Sequence, residues 1–322
     1  MCTSLCLPTP DGGHLFGRTL DLDAHFGEGV VLTPRRYPLG HGVEHYAILG
    51  MATVVDGYPL YADAMNERGV CMAGLRFTGN ASYPEKAFPD KKSIAPWELI
   101  PYLLGRCADL REVREALGEI TVVARDFRPD VPAAPLHWHV TDRDPASGSL
   151  VLEVTREGMR VFDNPVGVLT NNPPFDAQLA RIGEYAALSN RSLPPSDNSP
   201  EALAGQALGV SLSSLGEGAL GLPGDYSSTS RFVRAAHLRR WCAEAGGGSV
   251  SEFFRIMGAV SPTAGAVLTD GGGVHRTLYT ACMDTRTGKY YGLFEGELAV
   301  WSVGFDSADL DGEVTIPLSP RR

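Results

Sequence analysis

Met1-Cys2-Thr3-Ser4-Leu5, followed by His14-Leu15-Phe16-Gly17-Arg18-Thr19-Leu20-Asp21, decides how the rest of this 322-residue sequence is read. If Met1 is removed, Cys2 becomes the first residue and carries both a thiol and a free α-amine. A thiol attacks only as thiolate, so it needs a base or a cation nearby. A protein α-amine has an ordinary pKa of about 7.7–8, far below that of a lysine, and is available as a base near neutrality. Nucleophile and base then reside in one residue, a variant of the activated-nucleophile arrangement. Many chains begin Met-Cys, so the dipeptide alone decides nothing. Asp11-Gly12-Gly13 is a hairpin signal, and strands over 2–7 and 14–20 joined there put Arg18 and Asp21 beside Cys2. A cation beside a thiol lowers its pKa, and a carboxylate beside an amine fixes its position. A surface Arg/Asp pair on a hairpin is the plain alternative.

Outward from that hairpin, the first quarter of the chain is β-rich. Strands are expected over 30–34, 46–55, 60–64 and 70–77, with Asn66-Glu67-Arg68-Gly69 as a tight turn. The polar segment 78–92 contains Pro84 and Pro89 and reads as a surface loop able to rim a site. Residues 95–106 place Trp97, Ile100, Leu103 and Leu104 on a helical period, with Pro101 requiring a kink or a later start. Asp109-Leu110-Arg111-Glu112 is a capping box opening a short helix that turns Val113 and Leu117 inward. Strands are expected over 136–141, 150–155 and 159–162, then a helix over 174–188. The stretch 189–228 is rich in Ser, Gly, Pro and Leu without clear structure, a pattern typical of functional or interfacial segments. An amphipathic helix over 230–241, a second over 250–257, and strands over 277–283, 290–294 and 298–303 close the chain. Strand blocks interleaved with segregated helices imply an α+β layered fold, with no internal repeat and no linker marking a domain boundary.

A net charge of −10 argues against nucleic acid or an anionic membrane as a partner. The hydrophobic fraction of 43% fits a globular chain with a substantial core. No charged-then-apolar leader opens the sequence and no apolar run approaches about 20 residues, so a cytoplasmic location is expected. The six cysteines show no C-x-x-C pairing and read as free, mostly buried thiols. Cys2 and Cys6 on one strand lie roughly 13 Å apart, too far for a disulfide. His137-x-His139 puts two imidazoles on one strand face, but no third ligand lies nearby in sequence, so the pair reads as structural and no metal is expected. Asp142 and Asp144 read as turn residues, and Gly271-Gly272-Gly273 lacks the lysine of a phosphate loop.

Further motifs follow the opening ones in order: Ala47-Ile48-Leu49-Gly50-Met51, Asp63-Ala64-Met65-Asn66-Glu67-Arg68-Gly69, Ala73-Gly74-Leu75, Leu136-His137-Trp138, Val168-Leu169-Thr170-Asn171-Asn172-Pro173, Gly221-Leu222-Pro223-Gly224-Asp225-Tyr226 and Ser230-Arg231-Phe232-Val233-Arg234. Together they resemble the choloylglycine hydrolases, that is, bile salt hydrolases and penicillin V acylases, over nearly the whole chain. The resemblance implies the four-layer αββα sandwich of N-terminal-nucleophile hydrolases, as a single domain over 1–322. It implies a cofactor-free amide hydrolase acting on conjugated bile acids, and a homotetramer built through the extended segment before Gly221. By the same resemblance Cys2 is the nucleophile, Arg18 and Asp21 flank it, Asn171 is an oxyanion donor and Arg231 orients the cysteine. Without it, Asn171-Asn172-Pro173 is an ordinary turn and Arg231 an exposed residue of a first helical turn.

Arg76 stands where most bile salt hydrolases carry an asparagine. The resemblance implies an oxyanion role for the backbone N–H at this position, which Arg76 retains, while its side chain either meets the carboxylate or sulfonate of the substrate's amino-acid half or points out of the site. Leu20, Phe26, Tyr61 and Leu136 are expected to line an apolar slot for the steroid, with core packing as their other role. Penicillin V and N-acyl homoserine lactones are alternative substrates. A catalytically silent binder and a peroxide-reactive thiol protein are alternatives of other classes.

Overall fold

The computed structural model describes residues 1–40, 44–192, 199–211 and 216–319. β1 (Cys2–Thr9) and β2 (Gly13–Leu22) form the expected antiparallel hairpin, with Gly12 at φ +78°, a left-handed conformation that costs a glycine little. β3 (Glu28–Thr33), β4 (Ile48–Val55), β5 (Tyr58–Asn66) and β6 (Cys71–Arg76) follow as a meander. β7 (Lys92–Ile94) and β8 (Ile120–Val122) pair in parallel around α1 (Leu99–Leu104) and α2 (Leu110–Gly118). The later start of α1 places Pro101 in its first turn, where a missing N–H is harmless. Asp109 caps α2 by accepting from the Glu112 N–H, as the capping box predicts.

β9 (Leu136–Thr141), β10 (Ser149–Thr155), β11 (Gly158–Asp163) and the two-residue β12 (Val168–Leu169) lead into α3 (Phe175–Ile182). The stretch read as lacking structure contains α4 (Pro200–Leu208), capped by Ser199 with proline at its start; residues 193–198 and 212–215 of that stretch lie outside the described residues. α5 (Ser228–Glu244) and α6 (Val250–Gly258) precede β13 (Arg276–Asp284), β14 (Lys289–Phe294), β15 (Trp301–Gly304) and β16 (Ile316–Pro317). α5 is not the amphipathic surface helix its sequence suggests: Ser230 to His237 are all buried.

Two antiparallel sheets result. One runs β12-β1-β2-β13-β14-β15, the other β11-β10-β9-β6-β5-β4-β3-β16. They stack face to face, with α5 and α6 against the first sheet and α1 against the second, giving an αββα sandwich. Strand alternation sorts β1: Ser4 and Cys6 reach His139 and Thr141 of the opposite sheet, so Leu5 and Leu7 face the helices. Burial pushes the His139 pKa down to about 3, helped by Arg239 and His137, so its imidazole is neutral and links Ser4 to Ser149. A separate apolar layer containing Tyr102, Leu103, Val113, Leu117 and Trp138 lies between the second sheet and α1–α2.

The residue before Arg18 is a glycine for a packing reason. A Cβ on Gly17 would sit 1.9 Å from the main-chain oxygen of Ala281 on the neighbouring strand. Gly17→Ala must therefore push β2 off β13, and overpacking of this kind costs about 2–3 kcal/mol. An unfolding free energy lowered by that amount in urea, seen as a lower midpoint with an unchanged m-value, is the expected result; an unaltered midpoint would show that the strands yield freely.

Candidate active site

Cys2 opens β1 opposite Leu20 of β2, so Arg18, two residues along, points to the same inter-sheet face. The Arg18 Nη2 lies 2.6 Å from the Cys2 Sγ, and its Nη1 donates to the carbonyl of Gly74 in β6. Both residues are buried. Burial works against the Arg18 charge, but the Cys2 sulfur, Tyr279, Asp63 and Asp21 outweigh it and hold the guanidinium above its ordinary range.

Behind Arg18 stands a group that sequence patterning did not single out. The Asp63 carboxylate accepts from the Tyr279 hydroxyl at 2.7 Å and from the Tyr290 hydroxyl at 2.9 Å. Burial raises the Asp63 pKa, against which Arg18 and the two hydroxyls work. Asp63 opens one of the quoted motifs, but nothing local assigns it a role, because its partners lie more than 200 positions away.

The main chain of Cys2 is held from the other side. Its N–H donates to Asn171 Oδ1 at 2.9 Å, and its carbonyl accepts from Arg231 Nη1 at 2.5 Å. Arg231 also donates to Thr3 Oγ1 at 2.6 Å, to Asn171 Oδ1 at 2.9 Å and to the Tyr226 carbonyl at 3.0 Å. It is 1% exposed, not the surface residue that its place in the first turn of a helix suggests. Burial lowers its pKa, opposed by Asp21 and Cys2. Asn171 spends one amide hydrogen on the Arg76 carbonyl at 2.8 Å, and its second N–H has no partner among the described residues.

Met1 is in place here, so the Cys2 nitrogen is a peptide N–H. The Met1 ammonium donates to the Asp21 carbonyl at 2.6 Å, and the Asp21 N–H returns a bond to the Met1 carbonyl at 2.9 Å. The Asp21 carboxylate is buried and accepts from Thr277 Oγ1 of β13 at 2.6 Å. Cys2, Arg18, Asp21, Asn171 and Arg231 are thus brought together at one end of the sandwich. Met1, Arg76, Asn171 and Arg231 line a cleft of about 290 Å³ there, together with Thr78 and Tyr226. Larger hollows of about 680 and 400 Å³ lie elsewhere and contain none of these residues.

The expected apolar slot fares differently. None of Leu20, Phe26, Tyr61 and Leu136 lines this cleft. Leu20 is buried beside Cys2 in the inter-sheet core, and Phe26 is 40% exposed on the β2–β3 connection. Tyr61 and Leu136 are corrected: strand alternation turns them to the far side of the second sheet, into the layer beneath α1 and α2, where the Tyr61 hydroxyl meets Thr33 at 2.6 Å. Arg76 joins the site through its carbonyl. Leu75 and Phe77 turn inward, so its exposed side chain leaves β6 on the opposite face. All six cysteines are free. No helix among the described residues is long and apolar enough to cross a membrane.

Residues 2–316 match the family model of linear amide C–N hydrolases, choloylglycine hydrolase family. The chain is 42% identical to a bile salt hydrolase/transferase from Lactiplantibacillus plantarum over 318 residues, covering 97% of this chain and 94% of that protein. The fold superposes on the crystal structure of a mutant conjugated bile acid hydrolase from Clostridium perfringens with a TM-score of 0.91 and 32% identity, covering 99% and 97% of the two chains. A penicillin V acylase from Agrobacterium tumefaciens shares the fold at a TM-score of 0.71 and 18% identity, covering 98% and 90%.

Proposed function

The chain belongs to the choloylglycine hydrolase family of linear amide C–N hydrolases, and on that premise we propose that it cleaves glycine- or taurine-conjugated bile acids through Cys2. The observation that carries this reading is the contact of Arg18 with the Cys2 sulfur at 2.6 Å while the Cys2 nitrogen rests 2.9 Å from Asn171. Removal of Met1 turns that nitrogen into a free α-amine at the same place. The thiolate attacks the amide carbonyl, and the negative charge that develops on oxygen is met by the spare Asn171 N–H. The α-ammonium passes its proton to the departing glycine or taurine nitrogen as the C–N bond breaks, leaving a thioester. The α-amine then takes a proton from water, whose oxygen attacks the thioester; the bile acid leaves and the thiolate returns. Asp21 and Arg231 hold the chain start in register, and no cofactor enters any step.

The molecule acts as one domain over 1–322, located in the cytoplasm. It assembles as a homotetramer through the α4 region, where Leu203, Leu208, Val210 and Leu220 expose large apolar side chains. Assay of one purified preparation on glycocholate, taurocholate and penicillin V tests the substrate class. Cleavage of both conjugates with kcat/KM above that for penicillin V is expected; the reverse order would move the protein to the acylases. An intact mass retaining Met1 in an inert preparation would favour a silent binder, and thiol-dependent peroxide turnover without amide cleavage would favour redox chemistry.

Arg76 has a defined expectation. Arg76 lines the cleft, but its exposed side chain leaves β6 away from the inter-sheet face, so it attracts an anionic substrate through solvent. Arg76→Asn should raise KM for both conjugates about two- to threefold and leave kcat unchanged. A kcat loss of about tenfold would mean that the guanidinium reaches the scissile bond.

A further inference from the structure

We propose that the buried His137–Glu153 pair positions Asn171 by clamping both ends of the segment that carries it. The inference rests on the amidase reading above only where catalysis is the readout. His137 of β9 and Glu153 of β10 are 0% and 1% exposed, with His137 Nδ1 3.2 Å from Glu153 Oε1. Across the sandwich, His137 Nε2 lies 2.7 Å from the carbonyl of Thr170. A carbonyl only accepts, so this nitrogen carries a hydrogen. The remaining ring nitrogen therefore faces the carboxylate. The same Glu153 Oε1 accepts the N–H of Phe175 at 2.9 Å.

Thr170 and Phe175 bracket Asn171-Asn172-Pro173-Pro174, the connection between β12 and α3. Phe77 stacks on the His137 ring at 4.3 Å and 7°, so the imidazole cannot swing away from its two partners without losing that contact. Ser228 adds a lateral support, accepting from the Asn171 N–H at 2.9 Å. Without the clamp the Thr170 carbonyl and the Phe175 N–H lose these partners, and the segment is left to its bonds with Ser228, Arg231 and the Arg76 carbonyl. The Asn171 amide must meet the oxyanion to within a few tenths of an ångström, since donor placement is where such a site gains rate.

Two variants isolate the clamp. Glu153→Gln keeps Oε1 as the acceptor for the Phe175 N–H and leaves the His137 Nε2–H on the Thr170 carbonyl, so both ends of the segment stay held while only the contact between residues 137 and 153 weakens. His137→Phe/Glu153→Gln keeps a ring on Phe77 and strands no buried charge, but withdraws the donor from Thr170. On glycocholate, Glu153→Gln should retain kcat to within about threefold, while the double variant loses about tenfold or more with KM within about threefold. Alkylation of Cys2 by iodoacetamide should proceed at the wild-type rate in both, because Arg18 and the thiol are untouched. Amide hydrogen exchange over 170–175 should quicken by about tenfold in the double variant only. Equal kcat and equal exchange in the two variants would overturn the clamp. So would a loss already complete in Glu153→Gln, or a kcat loss matched by lost Cys2 alkylation, which marks general unfolding. If the parent protein leaves glycocholate intact, the substrate reading fails, and the exchange measurement still decides the clamp.

Discussion

Cys2→Ala in the mature protein should lower kcat for conjugated bile acids by about ten-thousand-fold or more, the scale seen when a covalent nucleophile is deleted. The substitution removes the sulfur that Arg18 Nη2 contacts at 2.6 Å but leaves the α-amine, so the base is retained without anything to attack with. Arg18 keeps its bonds to the carbonyls of Gly74, Ala62 and Thr19, so the fold should stand, and circular dichroism should show an unchanged spectrum. Substrate should still bind. A folded Cys2→Ala protein that turns over glycocholate at the parent rate would remove the covalent mechanism altogether.

Asn171→Ala comes next in size. It takes away the acceptor shared by the Cys2 nitrogen and Arg231, and the donor left free for the oxyanion. Loss of one such donor costs about a hundred- to a thousandfold in kcat, with KM little changed because the charge exists only in the transition state. Asn171→Asp separates the two roles, since it preserves the acceptor and abolishes the donor. It should be no better than Asn171→Ala. Asp activity within about tenfold of the parent would show that holding the chain start, and not stabilising the oxyanion, is what Asn171 does.

Local chemistry made half of this site legible. The Asp11-Gly12-Gly13 turn fixes the register of β1 on β2, and that register alone places Arg18 on the face of Cys2. Asn171 and Arg231 have no such local signal. They come from 169 and 229 positions beyond Cys2 and stand out only through likeness to a family. The same limit hid the two tyrosine partners of Asp63, and it hid the clamp: His137 and His139 read as structural, and nothing in the sequence ties His137 to Thr170. Elements were missed for related reasons. β12 and β16 are two residues each and exist only because a neighbouring strand offers them partners. α4 was the exception, since Ser199-Pro200 is a readable helix start inside an otherwise unpatterned run.

The placement of β13 against β2 sets a timetable for the molecule. Thr277 completes the setting of Asp21 from 256 positions downstream, and β13 itself covers the open edge of the first hairpin. A ribosome therefore releases Cys2 almost first and the strand that finishes its surroundings almost last. Pairings of such sequence separation are slow to form. A chain that ends before β13 carries Cys2 but lacks both Thr277 beside Asp21 and the strand that covers β2.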